Sequence, residues 1–320
     1  MRGPHASIEG IQMTLAQLQA LAAVVELGSL TAAADRLNRS QSAISHALTE
    51  LEDLTGVKLL MRDRQPVALT AAGERLWPYV RNVVREAQTL RQQFSLSRGR
   101  LEGRLVVASL PSVSLAFVAP ALEALKAMHP GVSAVLLEGT DTEVEAWIDD
   151  GTADVGVVAG SKTFANQLPL LDEDFVAVAA AGSFDDRKNV SAKHLSALPF
   201  IFSKAGCGPV IADYFARGGV PLRAAFNVVE MRTILSMAEA GMGVSIVPRI
   251  TLTYTPFAGR VLTLSPKLQR SVRLAWNRTG NAVADEFIRL VAEQRVKAGA
   301  ATRKRASKRA SKEKSCFNAG

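Results

Sequence analysis

Gln41, Ser42, Ser45, His46 and Thr49 place short polar side chains along one side of the stretch Thr31–Leu54, TAAADRLNRSQSAISHALTELEDL. Amide, hydroxyl and imidazole groups of this kind donate to and accept from base edges exposed in a DNA groove. On the opposite side Ile44, Ala47, Leu48, Leu51 and Leu54 recur at the i, i+3, i+4, i+7 spacing of a buried helix face. Ser40 is placed to cap this helix, and Asn38 can take the left-handed turn that ends the preceding one. No acid lies between Arg36 and Glu50, whereas Glu50, Glu52 and Asp53 crowd the far end. Phosphates repel carboxylates, so the end entered through Arg39 and Ser40 is the one suited to approach DNA. These features predict a helix-turn-helix whose reading surface is Gln41–Thr49. A packed helix pair with an incidental polar face is the alternative, and the chain that follows must decide.

A second set of groups is suited to holding a small molecule. The turns at Ser109–Ser114, Gly139–Thr142 and Phe202–Gly208 each follow an apolar strand and precede a helix. In open α/β sheets ligands sit beyond the carboxyl ends of strands, where helix amino ends offer free N–H groups. Taken together, the three turns favour a small anion such as an organic acid, although each Ser or Thr singly serves equally well as a helix cap. Cys207 stands at a predicted helix start, where a thiol pKa can fall, but no second cysteine precedes Cys316. A small buried residue is the preferred reading of Cys207. His5, His46, His129 and His194 lack ligand spacing, so no metal is expected. No G-x-S-x-G, HExxH or GxxxxGK[ST] pattern occurs, and neither enzymatic turnover nor a cofactor is expected.

The surrounding elements must position these groups. Residues 1–13 form an extension, with Met13 an alternative start. Leu15, Leu18, Leu21, Ala22 and Val25 mark a first helix closed by Gly28, and Ser29 or Thr31 caps the next, Ala32–Leu37. After Gly56, VKLLMRDRQPVALT reads as a β-hairpin or wing carrying Lys58, Arg62 and Arg64, suited to gripping the DNA backbone or minor groove. From Thr70 a long helix spaces Leu76, Val80, Val83, Ala87, Leu90 and Phe94 as a heptad seam, which calls for a partner helix from a second subunit. Pro78 intrudes on it, at a cost of about 3 kcal/mol unless the helix bends or starts there. A two-fold dimer would set two reading helices about 34 Å apart or a multiple of that.

SQSAIS (Ser40–Ser45), AAADRL (Ala32–Leu37), LLMR (Leu59–Arg62) and LTAAGERL (Leu69–Leu76), in this order and spacing, closely resemble the winged helix-turn-helix of LysR-type transcriptional regulators. Leu60 stands where that family often has Phe. The resemblance implies DNA reading by Gln41, Ser42, Ser45, His46 and Thr49 and backbone gripping by Arg62 and Arg64. It also implies a dimerising linker helix, subunits that assemble into homotetramers, and a small-molecule effector. RNA polymerase is a further candidate partner. By position, the family's effector contacts would fall on Ser109, Ser112, Thr140 and Ser203, with Phe202 as a wall. The domain plan is a winged helix-turn-helix at 14–70, a linker helix at 71–96, a hinge at 97–103 and an effector domain at 104–296. A basic tail at 297–320, expected to be disordered, ends the chain.

Beyond the hinge, strands and helices alternate as βαβαβ, with further strands at FVAVAAA, FIF, AAFNVV and VSIVP and a returning strand VRLAW. Two α/β lobes joined by two crossovers are the periplasmic-binding-protein arrangement that the resemblance implies. Lobe I covers about 104–160 and 272–296, and lobe II about 161–271. The fold class expected is therefore α+β and multidomain. A solute-binding protein would fit residues 101–296 alone but leaves 14–96 unexplained and has no secretory signal before it.

The net charge of +8 does not by itself argue for DNA. Residues 1–100 carry 12 Lys and Arg against 9 Asp and Glu, and residues 101–296 carry 18 against 20. Residues 297–320 carry 8 against 1, so the excess lies mostly in the tail, where sequence-independent phosphate contact is the only nucleic-acid role to expect. The longest uncharged run, Leu105–Leu122, is broken by Pro111 and Pro120 and is no membrane span. A cytoplasmic, nucleoid-associated protein without membrane partners is expected.

Overall fold

The computed structural model describes residues 12–184 and 186–295. The basic tail, Cys316, His5 and most of the amino-terminal extension lie outside the described residues. The chain divides into two compact units, Met1–Phe94 and Ser95–Gly320. Among the described residues no helix is long and apolar enough to cross a membrane.

The first unit begins with α1 (Leu15–Leu27), capped by Thr14 and Gln17 in a reciprocal capping box and closed by Gly28 at φ 62°. Next, α2 (Leu30–Leu37) starts on Ser29, whose hydroxyl accepts from the Ala32 amide, and ends on Asn38 at φ 53°, ψ 48°. The third helix, α3 (Gln41–Thr55), is capped by Ser40 through the Ala43 amide at 3.1 Å. A short antiparallel hairpin, β1 (Leu60–Met61) and β2 (Ala68–Leu69), forms the wing. Its tip rests on the end of α1: the Val67 amide donates to Gly28 O at 2.9 Å. A side chain at position 28 would come within 2.7 Å of the Pro66 ring. Leu18, Leu21, Val24, Ile44, Leu48 and Leu51 form the core, each worth about 1.5–3 kcal/mol when fully buried. The long helix α4 (Ala71–Leu96) continues through Pro78 without a break.

In the second unit β3 (Gly103–Ser109) lies parallel between β4 (Val132–Glu138) and β5 (Val155–Val158). The connection from β3 to β4 is helical but not uniform. A three-residue turn, α5 (Pro111–Val113), passes into a π-helical stretch, Ser114–Val118, and then α6 (Ala119–Met128). The register slips one turn before Pro120, whose ring nitrogen cannot donate to the Ala116 carbonyl. Helix α7 (Asp141–Asp149) links β4 to β5. Then β6 (Asn166–Ala179) runs for 14 residues, its first part paired with β12 (Gln269–Trp276) and its last with β10 (Ser245–Pro248) and β11 (Arg260–Leu264). These two long strands are the crossovers between lobes.

Lobe II adds β7 (Asn189–Val190), α8 (Ala192–Ser196), β8 (Phe200–Ser203), α9 (Gly208–Arg217), β9 (Ala224–Val228), α10 (Met231–Glu239) and α11 (Thr251–Tyr254). A final helix, α12, covers 282–295. The eight-stranded sheet runs β4-β3-β5-β12-β6-β11-β7 with β10 on β6, and separate cores fill lobe I and the two faces of lobe II. Of these elements, β7, β11, α8 and α11 carry no clear sequence period.

Candidate functional site

The amino end of α3 is presented as expected from its pattern. Gln41, Ser42 and His46 are exposed, Ser45 and Thr49 half-buried, while Ile44, Leu48 and Leu51 are buried beneath them. Arg39 and Ser40 are exposed at the helix entrance, where Ser40 Oγ also lies 2.9 Å from Ser42 Oγ. His46 forms an i,i+4 pair with Glu50 at 3.3 Å. Arg64 is exposed on the wing. Arg62 is differently employed: its guanidinium donates to Thr49 Oγ1 at 3.2 Å and to Glu52 Oε2 at 3.1 Å, tying the wing to α3.

Glu52 is the residue that sequence reasoning placed wrongly among the phosphate-repelling acids. It is 4% exposed, and its carboxylate accepts from the amides of Leu59 at 2.9 Å and Leu60 at 3.2 Å and from Lys58 Nζ at 3.1 Å. Burial pushes its pKa up, but the Leu59 amide, Lys58, the Leu60 amide and Arg62 together hold it below the ordinary carboxylate value. One buried acid thus fixes where the wing leaves the helix.

Along α4 the seam residues separate into two groups. Val80 packs on the core of the first unit and Ala87 is half-buried, whereas Leu76, Val83, Leu90 and Phe94 are exposed on the single chain together with Tyr79. The apolar stripe is therefore real but broader than the predicted seam.

In the second unit a cleft of about 570 Å³ opens between the lobes, within the size range of small-molecule sites. Lobe I contributes Leu110–Ser112, Leu115, Glu138 and Gly139; the β8–α9 turn contributes Ala205–Cys207. The remaining wall is 229–232, Thr251, 254–256 and Arg270. Of the predicted contacts Ser112 lines this cleft. Ser109 is fully buried with its hydroxyl on Leu110 O, Thr140 caps α7, Phe202 is half-buried and Ser203 is fully buried with an unpartnered hydroxyl.

Arg270 organises the floor. Its Nε and Nη2 both approach Glu173 Oε2 at 2.7 Å, and Nη2 donates across the cleft to Ser112 Oγ at 2.8 Å. The guanidinium lies 5.3 Å from the Phe175 ring centre, and Nη1 has Cys207 Sγ at 4.0 Å. Both charges are almost wholly buried. Burial raises the Glu173 carboxyl, opposed by the positive charge and hydrogen bonds of Arg270. Sequence gave no hint of this pair, which joins residues 97 positions apart.

Of the three helix ends expected to bind an anion, that of α7 is filled by the chain itself, the starts of α5 and α9 have no side-chain cap, and a further end, that of α10, is filled. Glu143 accepts from the Thr140 amide and hydroxyl at 2.8 Å each, capping α7. Glu230 caps α10 through the Thr233 amide at 2.8 Å. Hydrogen bonds from Thr140 and Thr233 hold these two carboxyls below their usual range.

Cys207 does not have the activated thiol that its helix-start position allowed. It is buried, and burial pushes its thiol up to about 11, against the influence of Arg270. At pH 8 iodoacetamide should therefore modify the Cys207 peptide at least tenfold more slowly in the folded protein than in urea, as followed by mass spectrometry. Equal rates in both would show that the thiol is open.

A DNA-reading helix on one unit and a ligand-sized cleft in the other define a two-domain, ligand-responsive DNA-binding protein. Residues 15–74 match the bacterial regulatory helix-turn-helix of the lysR family, and residues 98–295 match the LysR substrate binding domain. The chain belongs to the LysR family of transcriptional regulators. It is 30% identical over 266 residues to the probable HTH-type transcriptional regulator LrrA of Synechococcus elongatus, covering 82% of this chain and 90% of that one. Among solved structures, a full-length OxyR variant from Pseudomonas aeruginosa superposes with a TM-score of 0.72 at 22% identity, covering 89% of this chain and 95% of that one. Full-length CbnR in complex with its target DNA superposes with a TM-score of 0.59 at 23% identity, covering 88% and 100%.

Proposed function

We propose that this regulator reads its operator as an assembly of at least two copies and is controlled by a small molecule in the interlobe cleft. The observation that carries the reading is the division of α3: Gln41, Ser42 and His46 lie exposed above buried Ile44, Leu48 and Leu51, at a capped and acid-free helix end. Base-edge donors and acceptors are thus held outward by a fixed core. The exposed stripe Leu76, Val83, Leu90 and Phe94 supports pairing through α4, because an apolar helix face of this length gains by burial against a partner. Ligand-dependent movement of the lobes would then alter the spacing of two reading heads. Such a protein works in the cytoplasm, where its DNA is.

Fluorescence anisotropy with operator and scrambled duplexes at fixed salt tests this. Gln41→Ala and Ser42→Ala should each weaken operator binding by roughly 1–3 kcal/mol and leave scrambled DNA nearly unaffected. Leu90→Glu should yield slower-sedimenting single chains with intact folding. Wild-type operator preference in both α3 variants would remove the assigned reading face.

A further inference from the structure

The cleft is chemically selective in a way that the family assignment does not specify. The arginine on its floor and the amino ends of α10 and α7 are already engaged by the chain's own carboxylates. The Glu230 carboxylate occupies the amino end of α10, accepting from the Thr233 amide at 2.8 Å and hydroxyl at 3.1 Å. Glu143 does the same for α7. Glu173 neutralises Arg270 through a 2.7 Å contact at the floor. On the rim Arg232 shares the lining with Glu138 and Glu230. An incoming carboxylate would compete with Glu173 for one guanidinium and stand beside a buried like charge.

An uncharged acceptor meets no such opposition. Arg270 Nη1 has only the long 4.0 Å approach of Cys207 Sγ, a weak acceptor, so it retains donor capacity. The neighbouring start of α9 has no side-chain cap on its amide groups. Thr251, another lining residue, keeps a buried hydroxyl without a partner. The rest of the wall is apolar and open: Leu115, Val229 and Tyr254 line the cleft with much of their surface exposed, next to Met231. Apolar surface left open in a concave site marks where a ligand's hydrocarbon would lie.

We propose that the cleft takes a compact ligand with an uncharged polar head, such as a carboxamide or carbonyl, on an apolar body. The head accepts from Arg270 Nη1, and the body lies along Leu115, Val229, Met231 and Tyr254. This rests on the reading of the cleft as the effector site, and it replaces the organic acid expected from the sequence.

The test is a thermal-shift comparison on the full-length protein with three probes that differ in the head: hexanamide, hexanoate and adipate, each at about 10 mM. Hexanamide should raise Tm by roughly 2–5 °C, hexanoate by less and adipate not at all. Val229→Trp, a change at an exposed lining position, should abolish the hexanamide shift. Greater stabilisation by hexanoate or adipate that Val229→Trp removes overturns the head assignment but keeps the cleft as the site. A shift that survives Val229→Trp overturns the cleft reading itself. No shift with any of the three also overturns the proposal.

Discussion

Glu52→Ala is expected to lower the melting temperature of the amino-terminal domain by more than about 10 °C and to abolish operator binding at temperatures where the wild type still binds. The substitution leaves the buried amides of Leu59 and Leu60 without their acceptor and frees Arg62 and Lys58 from the helix. Each stranded buried amide costs about 1–3 kcal/mol, so the total is about 3 kcal/mol or more. In a domain of this size 1 kcal/mol moves Tm by roughly 4–8 °C. Glu52→Gln keeps an acceptor oxygen and should cost less, which separates geometry from charge.

The charge component has a defined pH dependence. The folded pKa of Glu52 lies below its ordinary value of 4.5. Its ionised form therefore stabilises the fold fully above that value, and the contribution fades as pH falls through the lower folded pKa. The stability gap between wild type and Glu52→Gln should be constant above about pH 5.5 and close on acidification, as followed by circular dichroism. A gap that is flat down to pH 3 would show that the carboxylate charge contributes nothing.

The difference between Glu52 and its neighbours shows what sequence can and cannot carry. Caps and corners are local: Ser40 lies three residues from the amide it caps, and Asn38 and Gly28 take left-handed φ within their own turns. The apolar periodicity of α3 likewise needs only its own helix. These features, with the match of SQSAIS and LTAAGERL, made the DNA-reading unit legible. Glu52 sits between exposed Asp53 and buried Leu51, and nothing in its spacing distinguishes it from a solvated acid. Its burial follows from where β1 passes. The cleft was harder still, since Ser109 and Thr140 occupy strand and helix ends that read alike whether a hydroxyl faces a ligand or the backbone. Arg270 and Glu173 acquire meaning only because β6 and β12 pair antiparallel, bringing them into register.

That register gives the second large effect. Glu173→Leu and Arg270→Met should each destabilise the effector domain by about 3–5 kcal/mol, because each leaves one nearly buried charge without its counterion. For a domain near 200 residues this lowers Tm by roughly 6–20 °C. The double variant Glu173→Leu/Arg270→Met removes both charges and should recover to within about 1–2 kcal/mol of wild type, a strongly non-additive cycle in urea denaturation. Additive losses would mean that the two side chains contribute by packing alone. The milder Glu173→Gln keeps the shape of the floor while releasing the positive charge of Arg270. It should reverse the head preference of the cleft, so that hexanoate stabilises this variant more than hexanamide does. The same carboxylate would then both secure the crossover strands and exclude anions from the site between them.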